Sequence, residues 1–265
     1  MSGALPPRLP PSFRLLSYDR LGSTNDEAKR LARDDGAAHG TVVWALEQTQ
    51  GHGRTGRVWA SPPGNLYCST VLRPDCPAAR AAEIGFVAAL AVGNVLTPLL
   101  PASARLGYKW PNDVLVGGRK VSGILAEAQS RAITGSSGGG AGTLDWLVVG
   151  IGVNVASHPS DARWPATNLA EENAAPVTVP VLLEQLIGHL ARWLRRWQEE
   201  GFPIVRTAWL ERAAGLGEPM TARLGTVEIP GRFADLDADG ALLLDTGREI
   251  RRIAAGEVFP TITTA

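Results

Sequence analysis

Between Val179 and Glu200 the apolar residues Leu182, Leu183, Leu186, Ile187, Leu190 and Leu194 recur at intervals of three and four, the period of a helix with one buried face. Ala78 to Leu96 is apolar almost throughout, with Pro98 and Pro101 just beyond, and predicts a helix buried on all sides. The most apolar stretch, Ile84 to Leu100, is short for a membrane span, with Glu83 at its edge, Asn94 inside and Pro98 near its end. Ser23-Thr24-Asn25 ahead of Asp26 and Glu27 reads as a polar cap followed by an acidic first turn, hence a helix over the following residues to Arg33. A further short helix is expected over Ile204 to Ala213. Strands are expected at Thr41 to Glu47, Leu66 to Leu72 and Leu144 to Val155. Asp113 to Val116 and Arg119 to Glu127 flank Gly117-Gly118, a two-residue hairpin signal. After Gly215 the texture changes to short strands, Met220 to Val227, Gly231 to Asp235, Ala241 to Asp245 and Glu249 to Ile253, with polar turns between them. That pattern suggests a small β-barrel of about 50 residues packed on a larger body. Helices mixed with hairpin-linked strands make the class α+β, with a mixed, largely antiparallel sheet. The expected organisation is a Pro-rich disordered arm over 1–22, a main domain over 23–214 and the small barrel over 215–265. Ser130 to Gly142, rich in Gly and Ser, reads as a flexible connection.

Composition narrows the function. The 265 residues carry 26 basic and 26 acidic side chains, which excludes the basic excess of a broad nucleic-acid footprint. Cys68 and Cys76 are too few for a disulfide framework and fit a reducing compartment. The first residues lack the basic start and apolar core of a signal peptide, so the expected location is the cytoplasm, without membrane association. His39, His158 and His189 are isolated, no Gly-x-Ser-x-Gly elbow occurs, and neither cysteine has a histidine nearby, so covalent catalysis is not expected.

Of the 26 basic residues only Lys29, Lys109 and Lys120 are lysine. In a chain that writes positive charge as arginine, a retained lysine points to a need for a compact ammonium. Two of the three bracket Lys109-Trp110-Pro111-Asn112-Asp113 and the hairpin. If Gly117 and Gly118 form the turn, Leu115 faces Lys120 and Asp113 faces Ser122. Lys109, Asp113, Leu115, Lys120, Ser122 and Ile124 then share one face, and Val114, Val116, Val121 and Leu125 the other. Charges mixed with apolar groups on one face are what a ligand cleft looks like, since such charges are costly to bury alone.

Gln48 to Trp59 supplies a second constellation. Gly51, Gly53 and Gly56 permit close backbone approach, Arg54 and Arg57 suit an anion, and Trp59 can cover a planar or apolar ligand. The spacing is neither a P-loop nor a dinucleotide fingerprint. Gly150-Ile151-Gly152-Val153-Asn154 is a third, where glycines inside a buried strand mark either tight strand packing or the approach of a ligand.

Taken in order, these segments resemble the biotin protein ligases. Ser23-Thr24-Asn25 is similar to the family's first-helix motif. Gly51-His52-Gly53-Arg54-Thr55-Gly56-Arg57 is similar to its Gly-Arg-Gly-Arg-x-Gly-Arg loop, with His52 where the family usually has Arg. Lys109 to Asp113 is identical to its Lys-Trp-Pro-Asn-Asp. Arg119-Lys120 with Gly123-Ile124-Leu125, and Gly150 to Asn154, match two further motifs. The resemblance implies a class II synthetase-like catalytic domain with an SH3-like C-terminal barrel. It implies an enzyme that makes biotinyl-5′-AMP from biotin and ATP with Mg²⁺, then passes biotin to a lysine of a biotin carboxyl carrier protein domain of acetyl-CoA or acyl-CoA carboxylase. Carried over by residue, Lys120, Arg54, Asp113 and Lys109 are catalytic. Ser23, Thr24, Asn25, Gln48, Gly51, His52, Arg54, Lys120, Gly123 and Gly150 bind biotin. Arg54, Arg57, Trp59, Lys109, Asn112, Lys120 and Asn154 bind ATP, and no metal ligands are assigned. Some relatives carry an N-terminal DNA-binding domain; the residues before Ser23 are too few for one, so no nucleic-acid partner is expected, and the protein is expected to be a monomer or a weak homodimer. A lipoate- or octanoate-protein ligase or transferase of the same fold is the alternative enzyme, and a non-catalytic biotin-binding regulator the alternative outside catalysis.

Overall fold

Alternation along two strands sets the architecture of the computed structural model, which describes residues 6–131, 142–160 and 164–260. In β2 (Thr41–Gln48), Val42 and Trp44 enter a large core and Val43 a smaller one. In β7 (Thr143–Val153), Leu147, Val149 and Ile151 enter the large core, and Trp146 and Val148 the smaller. The sheet is therefore covered on both faces. On the large-core side lie α2 (Glu83–Leu96), α3 (Val179–Glu200) and α4 (Phe202–Leu210). On the other lies α1 (Thr24–Asp34), which buries Ala28, Leu31 and Ala32. Ser23 caps α1, its Oγ accepting from Asp26 N.

With β1 (Arg14–Leu21), β3 (Leu66–Leu72), β4 (Leu106–Lys109), β5 (Asp113–Val116) and β6 (Arg119–Arg131), the main sheet has seven strands in the order β1-β2-β3-β7-β6-β5-β4. Only the β1–β2 pairing is parallel. β1 corrects the expectation of an irregular arm over 1–22. It is an edge strand, so its side chains are mostly half-buried or exposed and leave no clean apolar alternation. The connection expected over Ser130 to Gly142 falls, for residues 132–141, outside the described residues.

The apolar stretch from Ala78 is a 3₁₀ turn, Ala78–Ala82, leading into α2. By length and composition it would cross a membrane, yet it is buried between the sheet, α3 and α4. Its one acid, Glu83, is buried with Arg80 and the indole N–H of Trp197 as partners.

The expected small barrel is a five-stranded antiparallel sheet, β11-β10-β9-β8-β12. Its strands are β8 (Pro219–Leu224), β9 (Val227–Leu236), β10 (Leu242–Asp245), β11 (Ile250–Ile253) and β12 (Glu257–Pro260). Trp110, inside the Lys-Trp-Pro-Asn-Asp segment, is buried and donates from Nε1 to Gly240 O at 3.0 Å, tying this sheet to the main body.

Candidate functional site

The pocket arises where side chains stop. On the α1 face of β7, Trp146 and Val148 pack under the helix; the next two positions on that face are Gly150 and Gly152. The neighbouring strands continue the gap. Tyr67 and Gly123 pair with Gly152, Asp113 with Gly123, and Lys109 with Asp113. One row across four antiparallel pairings thus runs from an aromatic through two glycines to a carboxylate and an ammonium. The next row is Ser69, Gly150 and Leu125.

The hairpin register departs from expectation. Leu115 faces Lys120 as predicted, but an irregularity between Val114 and Leu115 puts Ser122 opposite Val114 and Gly123 opposite Asp113. The extra residue in β6 reverses the side-chain alternation beyond it. Gly123, Ile124 and Leu125 line the pocket, Ile124 also packing in the large core, and neither Leu115 nor Ser122, both buried, lines the pocket.

The cavity has a volume of about 530 Å³. Every residue carried over from the resemblance as catalytic, biotin-binding or ATP-binding lines it except Gly51. Gly51 is packed behind the loop, where an added Cβ would lie 2.5 Å from Ser61 Oγ and 2.6 Å from Trp59 O. The tight approach at the other glycines comes from the chain itself. Trp59 lies against both Gly123 and Gly152, and the Asn25 amide lies against Gly150. The indole Nε1 of Trp59 is buried without a hydrogen-bond partner.

At the cationic end, Lys120 Nζ is 2.6 Å from Asp113 Oδ1 and 5.1 Å from the Trp59 ring centre. The Lys120–Asp113 contact lacks the geometry of a directed hydrogen bond and acts as a charge pair. Lys120 is fixed from behind: its N–H donates to Pro165 O at 2.7 Å, and its carbonyl accepts from Thr167 N at 2.9 Å. Asn154 supports the same segment, its Nδ2 donating to Thr167 O at 3.0 Å, which leaves its oxygen for any further contact. Lys109 Nζ sits 4.5 Å from the Trp164 ring centre and 5.6 Å from that of Phe259. Burial pulls its pKa below the usual lysine value, with Asp113 acting in the opposite sense. Burial also lowers that of Arg54.

Both loop arginines reach the C-terminal sheet. Arg54 Nη1 lies 3.3 Å from Gly256 O and 3.4 Å from Asn112 Oδ1, and Arg57 pairs with Glu257. Glu257 and Phe259 therefore complete a wall that lies far from the motifs in sequence, and no local signal marks them.

At the opposite end, Thr24 N and Oγ1 donate to Gln48 Oε1 at 2.8 and 3.0 Å, and Gln48 Nε2 donates to Ser61 Oγ at 2.9 Å. Asn25 donates from Nδ2 to Glu127 Oε2 at 2.7 Å and accepts from Ser69 Oγ at 2.7 Å. Ser69 was not singled out, although a serine between Cys68 and Thr70 in a fully buried strand is a legible polar signal. Among the described residues no group of three or more His, Cys, Asp or Glu could hold a metal.

Comparison with known proteins gives this geometry a family. Residues 9–211 match the Biotin/lipoate A/B protein ligase family, and residues 215–259 match the Biotin protein ligase C terminal domain. The chain is 43% identical to a biotin–[acetyl-CoA-carboxylase] ligase of Paracoccus denitrificans, covering 91% of this chain and 98% of that protein. A ligase of the same name from Mycobacterium tuberculosis is 30% identical, over 90% and 86% of the two chains. Among solved structures, a biotin protein ligase from Aquifex aeolicus in complex with biotin and ATP superposes with a TM-score of 0.75 at 28% identity, covering 92% of this chain and 97% of that one. The chain belongs to the biotin/lipoate A/B protein ligase family and, within it, to the biotin protein ligases.

Proposed function

We propose that the protein joins biotin to ATP as biotinyl-5′-AMP and transfers the biotinyl group to a lysine of a biotin carboxyl carrier domain. The observation that carries this is the convergence of Lys120, Lys109 and Arg54 on one half-buried pocket whose other end is a neutral hydrogen-bonding cradle. A carboxylate and a triphosphate repel each other, and cations fixed where they meet lower the barrier most.

In the first step a biotin carboxylate oxygen attacks the α-phosphorus of ATP, and the α–β bridging oxygen leaves with pyrophosphate. Lys120 exchanges Asp113 for the two anions and bridges them, while Arg54 and Lys109 neutralise the phosphates. Arg57 joins them by releasing Glu257. In the second step the carrier's ε-amino nitrogen attacks the biotinyl carbonyl, and AMP leaves with the electron pair of the broken C–O bond. Asp113, freed from Lys120, orients that amine and takes its proton. Ser23, Thr24 and Gln48 face the ureido ring, and Trp59 covers the ligand. Magnesium, when bound, neutralises the triphosphate. Among the described residues, Asp113 and Glu257 are the pocket carboxylates that would face such an ion.

Two buried, free cysteines, with Cys68 pushed up to about 12 by burial, suit a reducing cytoplasm. The protein acts there without nucleic acid or membrane, as a monomer or weak homodimer. Biotin-dependent exchange of labelled pyrophosphate into ATP tests the reading. Exchange with biotin and none with lipoate or octanoate is expected. Exchange with lipoate instead, or none with any acid, would overturn it.

A further inference from the structure

β7 ends at Val153, opposite Ser122 of β6, so the first residues of β6 run on past the end of their partner. Lys120 lies in that overhang. Its backbone N–H and carbonyl are taken instead by Pro165 O and Thr167 N, and Ala166 pairs with it as a single parallel rung. The place of the catalytic ammonium is therefore set by a short segment outside the named strands.

Side chains lock that segment. Thr167 is fully buried, and its Oγ1 donates to Glu172 Oε1 at 2.7 Å. Arg119, the residue before Lys120, donates from Nη2 to the same oxygen at 2.8 Å. Successive strand residues face opposite ways, so Arg119 reaches out on the side that Lys120 turns from. The two bonds close a ring that runs from Arg119 through Glu172 and Thr167 to the Lys120 backbone. The Glu172 side chain is 13% exposed, against 49% for Glu171, whose Oε2 lies 3.6 Å from Arg119 Nη1. A shielded carboxylate is costly to leave without partners, and its charge-assisted bonds are stronger than an exposed pair. None of Arg119, Thr167 and Glu172 lines the pocket.

We propose that Glu172 is a positioning residue for adenylation, fixing the Lys120 ammonium through Thr167 and Arg119 while touching neither substrate. This rests on Lys120 bridging the biotin carboxylate and the α-phosphate, as proposed above. The bridge must meet two anions at once, and a displacement of about 1 Å caused away from the chemistry can cost ~10²-fold in rate. The biotin cradle does not belong to the ring: Thr24 and Gln48 are tied to each other and to Ser61. Asp113, the group for the transfer step, takes its place on β5 from its pairings with Lys109 and Gly123. The ring therefore acts on one step, and on kcat rather than on biotin's KM.

Glu172→Ala removes both bonds. Biotin-dependent pyrophosphate exchange should lose about 10–10²-fold in kcat with the KM for biotin little changed. Single-turnover transfer from preformed biotinyl-5′-AMP should lose far less. Glu172→Asp, which keeps the charge on a shorter stem, should recover part of the exchange rate. Arg119→Met breaks the same ring, so adding it to Glu172→Ala should cost little more, since members of one network do not act additively. Glu171→Gln, at the exposed neighbour, should behave as wild type. Thr167→Val keeps the shape and loses only the hydroxyl. It should show the same split more weakly, and it carries the test if Glu172→Ala fails to fold. An equal loss in both steps by a folded variant, a raised KM for biotin without a fall in kcat, or full exchange in Glu172→Ala would each overturn the positioning role and leave the proposed function standing. Absence of biotin-dependent exchange in the wild type would strike the proposed function, and the positioning role with it.

Discussion

Gly123 and Gly152 stand directly opposite each other on adjacent strands, and the Trp59 ring lies on both. A methyl at Gly152 would sit 2.7 Å from that ring and one at Gly123 2.9 Å from it. The pair is a floor kept low so that the loop can lay an aromatic across the sheet.

Gly152→Ala should lift Trp59 off that floor while the strand stays paired. Overpacking of this kind costs about 1–3 kcal/mol. Titration calorimetry with biotinyl-5′-AMP should show affinity weaker by about tenfold or more, with a denaturation midpoint lowered only modestly. Unchanged affinity would mean that Trp59 does not cover the ligand.

Lys120→Arg should lower pyrophosphate exchange by ~10²–10³, the usual cost of losing a transition-state contact. Charge is kept, but the planar guanidinium cannot occupy the narrow space between Asp113 Oδ1 and the Trp59 ring that an ammonium fills. Exchange within a few-fold of wild type would remove Lys120 from the bridge.

Asp113→Asn should slow biotin transfer more than adenylate formation. The carrier lysine has an unperturbed pKa near ~10.4, so it arrives protonated and needs a group to take the proton. Single-turnover transfer from preformed adenylate, set beside pyrophosphate exchange, separates the steps. An equal loss in both would assign Asp113 to holding Lys120 alone, as its ion pair in the unliganded pocket also permits.

Lys109→Met should raise stability at neutral pH while impairing adenylation. The pKa of Lys109 is lowered by burial in the folded protein. Between its folded and unfolded values the unfolded chain binds more protons, so stability rises with pH across that window. Below the folded value the cost of the buried charge is present in full. Urea titration should therefore show the Met variant more stable at about pH 7, with the advantage shrinking toward the unfolded lysine value near ~10.4. A Met variant less stable at pH 7 would show that the Trp164 and Phe259 rings already compensate the burial.

Most of the fold could be read from local pattern because its elements bury one defined face. The helical spacing from Leu182 to Leu194 and the strand at Leu66–Leu72 appear where expected. β1 escaped because an edge strand need not alternate, and β4 because four residues, one of them Gly107, carry too little pattern. The motif residues come together in one pocket since Lys109, Asp113 and Lys120 lie on strands joined by short turns. What could not be read is what only tertiary packing decides. The irregularity at Val114/Leu115 brings Leu125 to the pocket while Leu115 and Ser122 stay out of it, and Glu257 and Phe259 come from another sheet. The glycines were legible as sites of close approach, but not that Trp59 and Asn25 would be the groups approaching.

Arg54 and Gly256 touch across 202 positions of chain. During synthesis the loop emerges long before the strand that completes its wall. Domains fold as units, the N-terminal one first, so a nascent chain can own a finished main sheet and an unfinished anion site. Competence then waits for β12 rather than for the motifs. The same arrangement makes β12 a point of failure, since a proteolytic cut just ahead of Gly256 would leave every motif residue in place and still open the pocket.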